Sequence, residues 1–215
     1  MFRNILLFIF GALVTAQLCH ADAVDDAEAA LNVLRQTTID NLNRGTLEQI
    51  KWCTEVDTVA LDTKESGLKA LEAKTAELIL QLKKVRNSTP AKMASCYGTL
   101  TRLQQEAADD LETCVNDQAD EAVTLISDKG SAVTVQTLKT IYDEEKEIIF
   151  CGRSNEECLT GVTADINEKT AAVPDIINDE IEVDRQAVDE QIELIKACAA
   201  KVVEKANGFA RRCVH

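Results

Sequence analysis

Histidine is almost absent from this chain of 215 residues, which contains only His20 and His215. Histidine is the commonest general base and a frequent metal ligand in proteins. The chain also lacks a Gly-x-Ser-x-Gly elbow, an EF-hand spacing and a glycine-rich phosphate loop. We therefore expect no catalytic, cofactor-binding or metal-binding residues, and we predict that the protein is not an enzyme.

Proline, glycine and aromatic residues are also scarce. Two prolines and eight glycines leave few positions at which the chain turns easily, and this composition favours long helices. An aromatic content of 4% leaves few rings for stacking on sugars. The net charge of -14 repels nucleic acid and anionic membrane surfaces. We therefore expect no nucleic-acid partner.

The N-terminus has the three parts of a secretory signal peptide. Arg3 supplies the positive charge, residues 5–14 form an apolar run, and small residues follow. The run is too short to span a bilayer core of about 30 Å, and no later stretch stays apolar for long enough. We predict a signal peptide over residues 1–21 and one helical-bundle domain over residues 22–215, secreted and extracellular. Cleavage after Ala16 is the alternative; it leaves eight cysteines, whereas cleavage after Ala21 leaves seven.

Apolar residues recur every three or four positions along five segments, which is the spacing of amphipathic helices. Turn or capping signals separate the segments at residues 44–46, 87–90, 128–131, 151–155 and 174. The second seam begins with Leu47, Ile50 and Cys53, and the fourth consists of Val135, Leu138, Ile141 and Ile149. The seams resemble loose heptads, and no convincing strand is present. The sequence predicts an all-α fold, an elongated antiparallel helix bundle stapled by disulfides.

Seven cysteines of the mature chain are candidates for these disulfides. They are Cys53, Cys96, Cys114, Cys151, Cys158, Cys198 and Cys213. No Cys-x-x-Cys motif occurs, so interhelical bridges are a better interpretation than a redox or zinc site. A turn near Gly130 would bring Cys114 close to Cys151, and we predict that pair first.

Other pairings stay open on the sequence alone. A local ring between Cys151 and Cys158 competes with the first pair, and Cys198 or Cys213 would pair with Cys53 or Cys96. An odd number of cysteines implies a free thiol or an intermolecular bridge. Cys213 is our candidate for the unpaired thiol, because it lies at the frayed end of the chain beside two arginines. A disulfide-linked homodimer would follow.

Three further features have a structural and a functional interpretation. Acidic clusters at residues 109–110, 143–145 and 179–180 are candidate calcium or carboxylate sites, but we predict that they are solvated helix faces. Asn87 begins the only N-glycosylation sequon, although Pro90 directly after the sequon is unfavourable. Trp52 is predicted to belong to the core.

The layout of single cysteines along heptad-like helices resembles the insect family named after the tsetse EP protein, the TsetseEP domain family. The resemblance rests on Trp52-Cys53, Cys96-Tyr97 and the later cysteines, and it covers most of the mature chain. Members are small secreted proteins of gut or other secretory epithelia without an assigned catalytic activity, and the founding member is linked to gut defence. The resemblance implies an insect extracellular protein. The Glu-Pro repeat tail of the tsetse protein is missing here, so no role of that tail is expected.

Two functions remain after these exclusions. The first is a secreted, non-enzymatic interaction protein whose partner is a protein or a microbial surface. The second is an extracellular carrier that holds a lipid or another apolar small molecule between its helices. A cavity of several hundred Å³ lined by Leu, Ile and Val would favour the carrier, whereas a filled core with an exposed apolar patch would favour the interaction protein.

Overall fold

The computed structural model describes the backbone of residues 2–84 and 89–214, and the side chains of residues 23–84, 89–91 and 93–209. Three long helices occupy these ranges: α1 (Phe2–Lys83), α2 (Pro90–Cys151) and α3 (Glu156–Val214). The prediction of an all-α bundle is therefore confirmed, but with three helices in place of five segments. Pro90 is the first residue of α2, a position where its missing N–H is not needed.

The break predicted at residues 44–46 is wrong, because α1 continues through it. Thr46 caps no new helix; its Oγ1 donates to the carbonyl oxygen of Leu42, 3.0 Å away and one turn back. Gly45 is buried, and a Cβ added there would lie 3.5 Å from the Cδ1 atom of Ile181 in α3. Glycine costs about 1 kcal/mol inside a helix, and the packing of α1 against α3 offsets that cost.

The helix ends predicted near Gly130 and Pro174 are also wrong. Gly130 lies inside α2, and its carbonyl oxygen accepts a 2.9 Å hydrogen bond from Thr134 Oγ1. Pro174 lies inside α3, where proline costs about 3 kcal/mol because it lacks an N–H. Its neighbours Val173 and Ile177 are buried, so the core holds the helix on both sides of the proline. Burial of a continuous apolar face outweighs these local signals.

The buried face of each helix repeats every 11 residues. The repeat passes through Leu34, Gly45, Val56, Gly67 and Leu78 in α1, through Leu100, Leu111, Ala122, Val133 and Glu144 in α2, and through Val162, Val173, Asp184, Ile195 and Ala206 in α3. Eleven residues make three turns of about 3.67 residues each, close to the 3.6 of an undistorted α-helix. A heptad has only 3.5 residues per turn. Seven-residue steps also occur among the buried residues of α3, at Val188, Ile195, Val202 and Phe209, so the predicted heptad-like spacing is found locally beside the 11-residue period. The 11-residue period keeps five successive positions of each helix on the inward face.

Two compact units divide the chain, and each contains a part of all three helices. Unit 1 consists of Met1–Glu48 and Lys129–Glu182. Leu31 and Leu34 of α1 lie in one apolar cluster with Ile141 of α2 and with Ile166 and Ile177 of α3. A four-residue connection joins α2 to α3, and the two helices are antiparallel.

Unit 2 consists of Gln49–Asp128 and Val183–His215. Trp52 is 5% exposed, which confirms its predicted place in the core. Gly67 of α1 lies close to both other helices: a Cβ added there would be 2.6 Å from Leu111 Cδ2 and 3.4 Å from Ala199 Cβ. Leu111 is itself 1% exposed and has little room to move. Gly67 therefore allows a close approach that alanine would prevent.

The two buried glycines of α1 should respond oppositely to the same substitution. Gly67→Ala should lower the free energy of unfolding by about 1 kcal/mol, because overpacking costs roughly 1–3 kcal/mol and exceeds the gain in helix propensity. Gly45→Ala, which meets only ordinary contacts, should raise it by about 0.5–1 kcal/mol. Urea unfolding followed by circular dichroism measures both. A change of the same sign in the two variants would contradict this description of the core.

Candidate functional site

A line of exposed apolar side chains on α2 is the most unusual surface of unit 1. Val135, Leu138, Tyr142 and Ile149 are 67%, 50%, 60% and 70% exposed, and they follow one another at steps of 3, 4 and 7 residues. At 100° per residue these steps place all four on one side of α2, opposite the buried residue Glu144. We name these four residues the α2 outer face.

The sequence assigned three of these residues to the core, and that prediction is wrong. Val135, Leu138 and Ile149 were expected in one seam with Ile141, but only Ile141 is buried. Residues 135–149 carry two apolar lines on different sides of the helix, and spacing alone does not tell which one packs inward. The prediction is wrong in the same way for the second seam, which lies on α1. Leu47 and Ile50 were expected to be buried there, but they are 59% and 57% exposed.

Charged side chains of both signs lie beside the α2 outer face, and two lysines are among them. Lys146 Nζ lies 5.4 Å from the centroid of the Tyr142 ring, a cation–π distance. Lys139, one helical turn before Tyr142, is also exposed. The face therefore combines apolar side chains and an aromatic ring with two nearby ammonium groups.

The connection between α2 and α3 is the polar loop predicted from the sequence. Gly152 has a φ of 66°, a conformation that glycine adopts easily and that commonly follows the last residue of a helix. Asn155 caps α3, because its Oδ1 accepts a 3.2 Å hydrogen bond from the backbone N–H of Cys158. The Cys151–Cys158 disulfide closes a ring that contains residues 152–157, the loop and the first two residues of α3.

The disulfides correct our first predicted pair. Cys114 bonds to Cys198, and Cys151 bonds to Cys158, the alternative left open on the sequence. The pair Cys114–Cys151 assumed a turn near Gly130, but α2 continues through Gly130, and the two residues are 37 positions apart on the same helix. Cys96 is also disulfide-bonded.

Cys53 is a free, half-buried thiol, so its predicted pairing with Cys198 or Cys213 is wrong. Cys198 bonds to Cys114, so the predicted pair of Cys198 with Cys96 is wrong as well. Several other predictions fall outside the described side chains. They concern the signal peptide and its cleavage site, Cys19, Asn87 with its sequon, and Cys213. These stay predictions.

Glu144 is a buried carboxylate, and not part of a solvated face as the sequence suggested. It is 2% exposed, and its Oε1 pairs with Lys169 of α3. Its Oε2 has no hydrogen-bond partner among the described residues. Lys169 also donates to Asp165 at 2.6 Å. Hydrogen bonds to Asp165 and to Glu144 raise the pKa of Lys169 above its usual value, which keeps the ammonium charged beside the buried carboxylate.

An ion pair of similar form joins α1 to α3 in unit 2. Arg185 donates to both carboxylate oxygens of Glu55, at 2.5 and 3.2 Å, and to Asp189 at 2.5 Å. The hydrogen bond from Arg185 lowers the pKa of Glu55. The stabilisation is therefore present at neutral pH and is lost as the pH falls through that lowered pKa. Both partners are partly exposed, so the contribution to stability is modest.

Two clefts open on unit 1, and each has polar side chains on its walls. The larger, of about 460 Å³, is bordered by Asp26, Glu156, Thr160, Thr163 and Asn167. The smaller, of about 230 Å³, has four polar or charged residues on its walls, Glu28, Asn32, Arg35 and Glu145, beside the apolar Leu31, Ile148 and Ile149. Arg35 and Glu145 form a 2.9 Å ion pair there. Neither cleft is the Leu-, Ile- and Val-lined cavity that a carrier of apolar molecules needs.

Within the described residues, no group of three or more His, Cys, Asp or Glu side chains is placed to hold a metal ion. The helices of this part of the chain include no stretch with the length and hydropathy of a membrane span. No family model, no curated protein and no solved structure matches this chain. The resemblance to the tsetse EP family therefore stays a prediction.

Removing the ammonium group that pairs with Glu144 should lower the stability of the fold. Lys169→Met leaves the buried carboxylate without its partner and should lower the free energy of unfolding by roughly 2–3 kcal/mol, less than for a fully buried pair because Lys169 is half-exposed. The double variant Glu144→Leu/Lys169→Met should regain most of that loss, since an apolar pair needs no compensating charge. Chemical unfolding of both variants measures the difference.

The matched control is Lys196→Met on the same helix. Lys196 pairs with Glu193 at 2.7 Å, and both side chains are more than half exposed, so the loss should stay below about 0.5 kcal/mol. Equal losses in Lys169→Met and Lys196→Met would show that Glu144 does not need its partner.

Proposed function

We propose that this protein acts by binding another protein through the α2 outer face, and that it is not an enzyme. The observation that carries the proposal is the line of four large apolar side chains, each at least half exposed. Single exposed apolar residues are normal on protein surfaces, whereas contiguous ones mark interaction sites. Their order along one side of a helix is the pattern by which a helix packs against another helix.

A helix of a different protein is the occupant that fits this face best. Two copies of a chain with a net charge of -14 repel each other, which disfavours a homodimer through this surface. Lys139 and Lys146 beside the face favour acidic residues next to the apolar residues of the partner. The proposed partner is thus a protein that presents an amphipathic helix with acidic borders.

An extracellular fluid is the compartment that we propose for this interaction. Cys114–Cys198 and Cys151–Cys158 support an oxidising environment, and the predicted signal peptide agrees with secretion. A gut or other secretory epithelium, and a role in defence, rest on the resemblance to the tsetse EP family alone. The carrier function has less support, because charged and polar side chains interrupt the apolar lining of both clefts.

The double variant Leu138→Asp/Ile149→Asp tests the proposal. Both side chains are exposed, so the substitutions leave the core intact. A partner captured from the secreted fluid by the wild-type chain, then purified, should bind the wild type in calorimetry and bind the variant at least ~30-fold more weakly, the loss expected for residues at the centre of an interface.

The control variant is Leu61→Asp/Leu68→Asp, which makes the same change at two exposed leucines of unit 2. It should bind the partner with the wild-type affinity. Equal loss in both double variants, or no loss in either, would contradict a specific role of the α2 outer face. Sedimentation of the wild type as a dimer that Leu138→Asp/Ile149→Asp dissociates would replace the proposed partner by a second copy of the chain.

A further inference from the structure

The loop between α2 and α3 presents one basic side chain in a closed ring. Gly152, Arg153, Ser154 and Asn155 are all exposed and lie outside both helices. The disulfide between Cys151 and Cys158 joins the two sides of the loop, with their Cα atoms 5.6 Å apart. We propose that Arg153 is the primary recognition residue of an inhibitory loop that occupies the active site of a trypsin-like serine protease.

The side chain of Arg153 has the chemistry that this protease class selects. Trypsin-like enzymes take an arginine or lysine side chain into a pocket with a carboxylate at its base and cleave the peptide bond that follows. Among the described residues, Lys84 and Arg153 are the only basic residues outside the helices. A peptide bond inside a helix is held by backbone hydrogen bonds and is not free to enter a protease cleft.

Small neighbours and fixed ends prepare the loop for such a cleft. Glycine and serine flank Arg153 and add little bulk beside the bond to be attacked. Gly152 ends α2, and its N–H donates to the carbonyl oxygen of Ile149 at 3.3 Å. Asn155 caps α3. A loop that is ordered before binding loses less conformational entropy in the complex, which favours tight binding.

The disulfide distinguishes an inhibitor from an ordinary substrate. The protease serine Oγ adds to the carbonyl carbon of Arg153, the bond from that carbon to the Ser154 nitrogen breaks, and the nitrogen leaves as an amine that takes its proton from the protease histidine. The acyl ester then remains on Arg153. Because Cys151 and Cys158 stay bonded, the amine is held inside the ring beside the ester. Its high effective concentration favours attack on the ester and restoration of the peptide bond over hydrolysis by water.

This site is separate from the α2 outer face. The loop variants leave Val135, Leu138, Tyr142 and Ile149 unchanged, so a failure of the inhibitory loop leaves the proposed function untouched, and the reverse also holds.

Titration of trypsin with the full, disulfide-bonded chain tests the proposal, with hydrolysis of a small chromogenic arginine amide as the readout. The wild type should abolish the activity at about one equivalent, and the loss should persist for hours. Arg153→Ala should weaken inhibition at least ~100-fold, and Arg153→Lys should retain most of it, because the pocket accepts both cations. Lys84→Ala, which changes the other basic residue that the structure describes outside the helices, should inhibit like the wild type.

The double variant Cys151→Ser/Cys158→Ser should turn the inhibitor into a substrate that is cut after Arg153, with trypsin activity returning. Mass spectrometry of the digest identifies that cut. The proposal is overturned if the wild type does not inhibit, if Arg153→Ala inhibits as well as the wild type, or if the wild-type chain is cleaved quickly after Arg153 while trypsin keeps its full activity.

Discussion

The 11-residue period of the buried positions is the constraint on which the rest of the structure depends. A helix of 59 to 82 residues buries one face only if its apolar positions return after a whole number of turns. The unusual residues of the core occupy that same period. Gly45 and Gly67 in α1, Glu144 in α2 and Asp184 in α3 all lie on it, so close approach and buried charge occur where the helices meet.

The exposed features follow from the same constraint. Once one face of α2 is assigned to the core, Val135, Leu138, Tyr142 and Ile149 remain on the opposite side, in solvent. The connection of only four residues between α2 and α3 is then left as a short exposed loop, and the disulfide at its base fixes its two ends. The proposed partner face and the proposed inhibitory loop are thus surfaces that the core does not use.

The helical class and the loop at residues 151–155 were predictable, because composition and local capping signals determine both. The number of helices was not predictable. Gly45, Gly130 and Pro174 each lower helix stability by about 1–3 kcal/mol, but the burial of apolar side chains such as Ile177 outweighs that cost in the folded chain. The inward side of α2 was not predictable either, because two apolar lines at helical spacing run along it.

Glu144 carries no local signal that separates a buried, paired carboxylate from a solvated one. The pairing of Cys114 depended on the helix number and failed with it.

The continuity of α2 through Gly130 decides between this account and a bundle of shorter helices. Hydrogen–deuterium exchange of the backbone amides of residues 129–132 measures that continuity directly. The account predicts slow exchange at these amides, as in the turns before and after them, because each N–H donates to the carbonyl oxygen four residues earlier. Fast exchange confined to these residues, as expected of a turn between two helices, would contradict it.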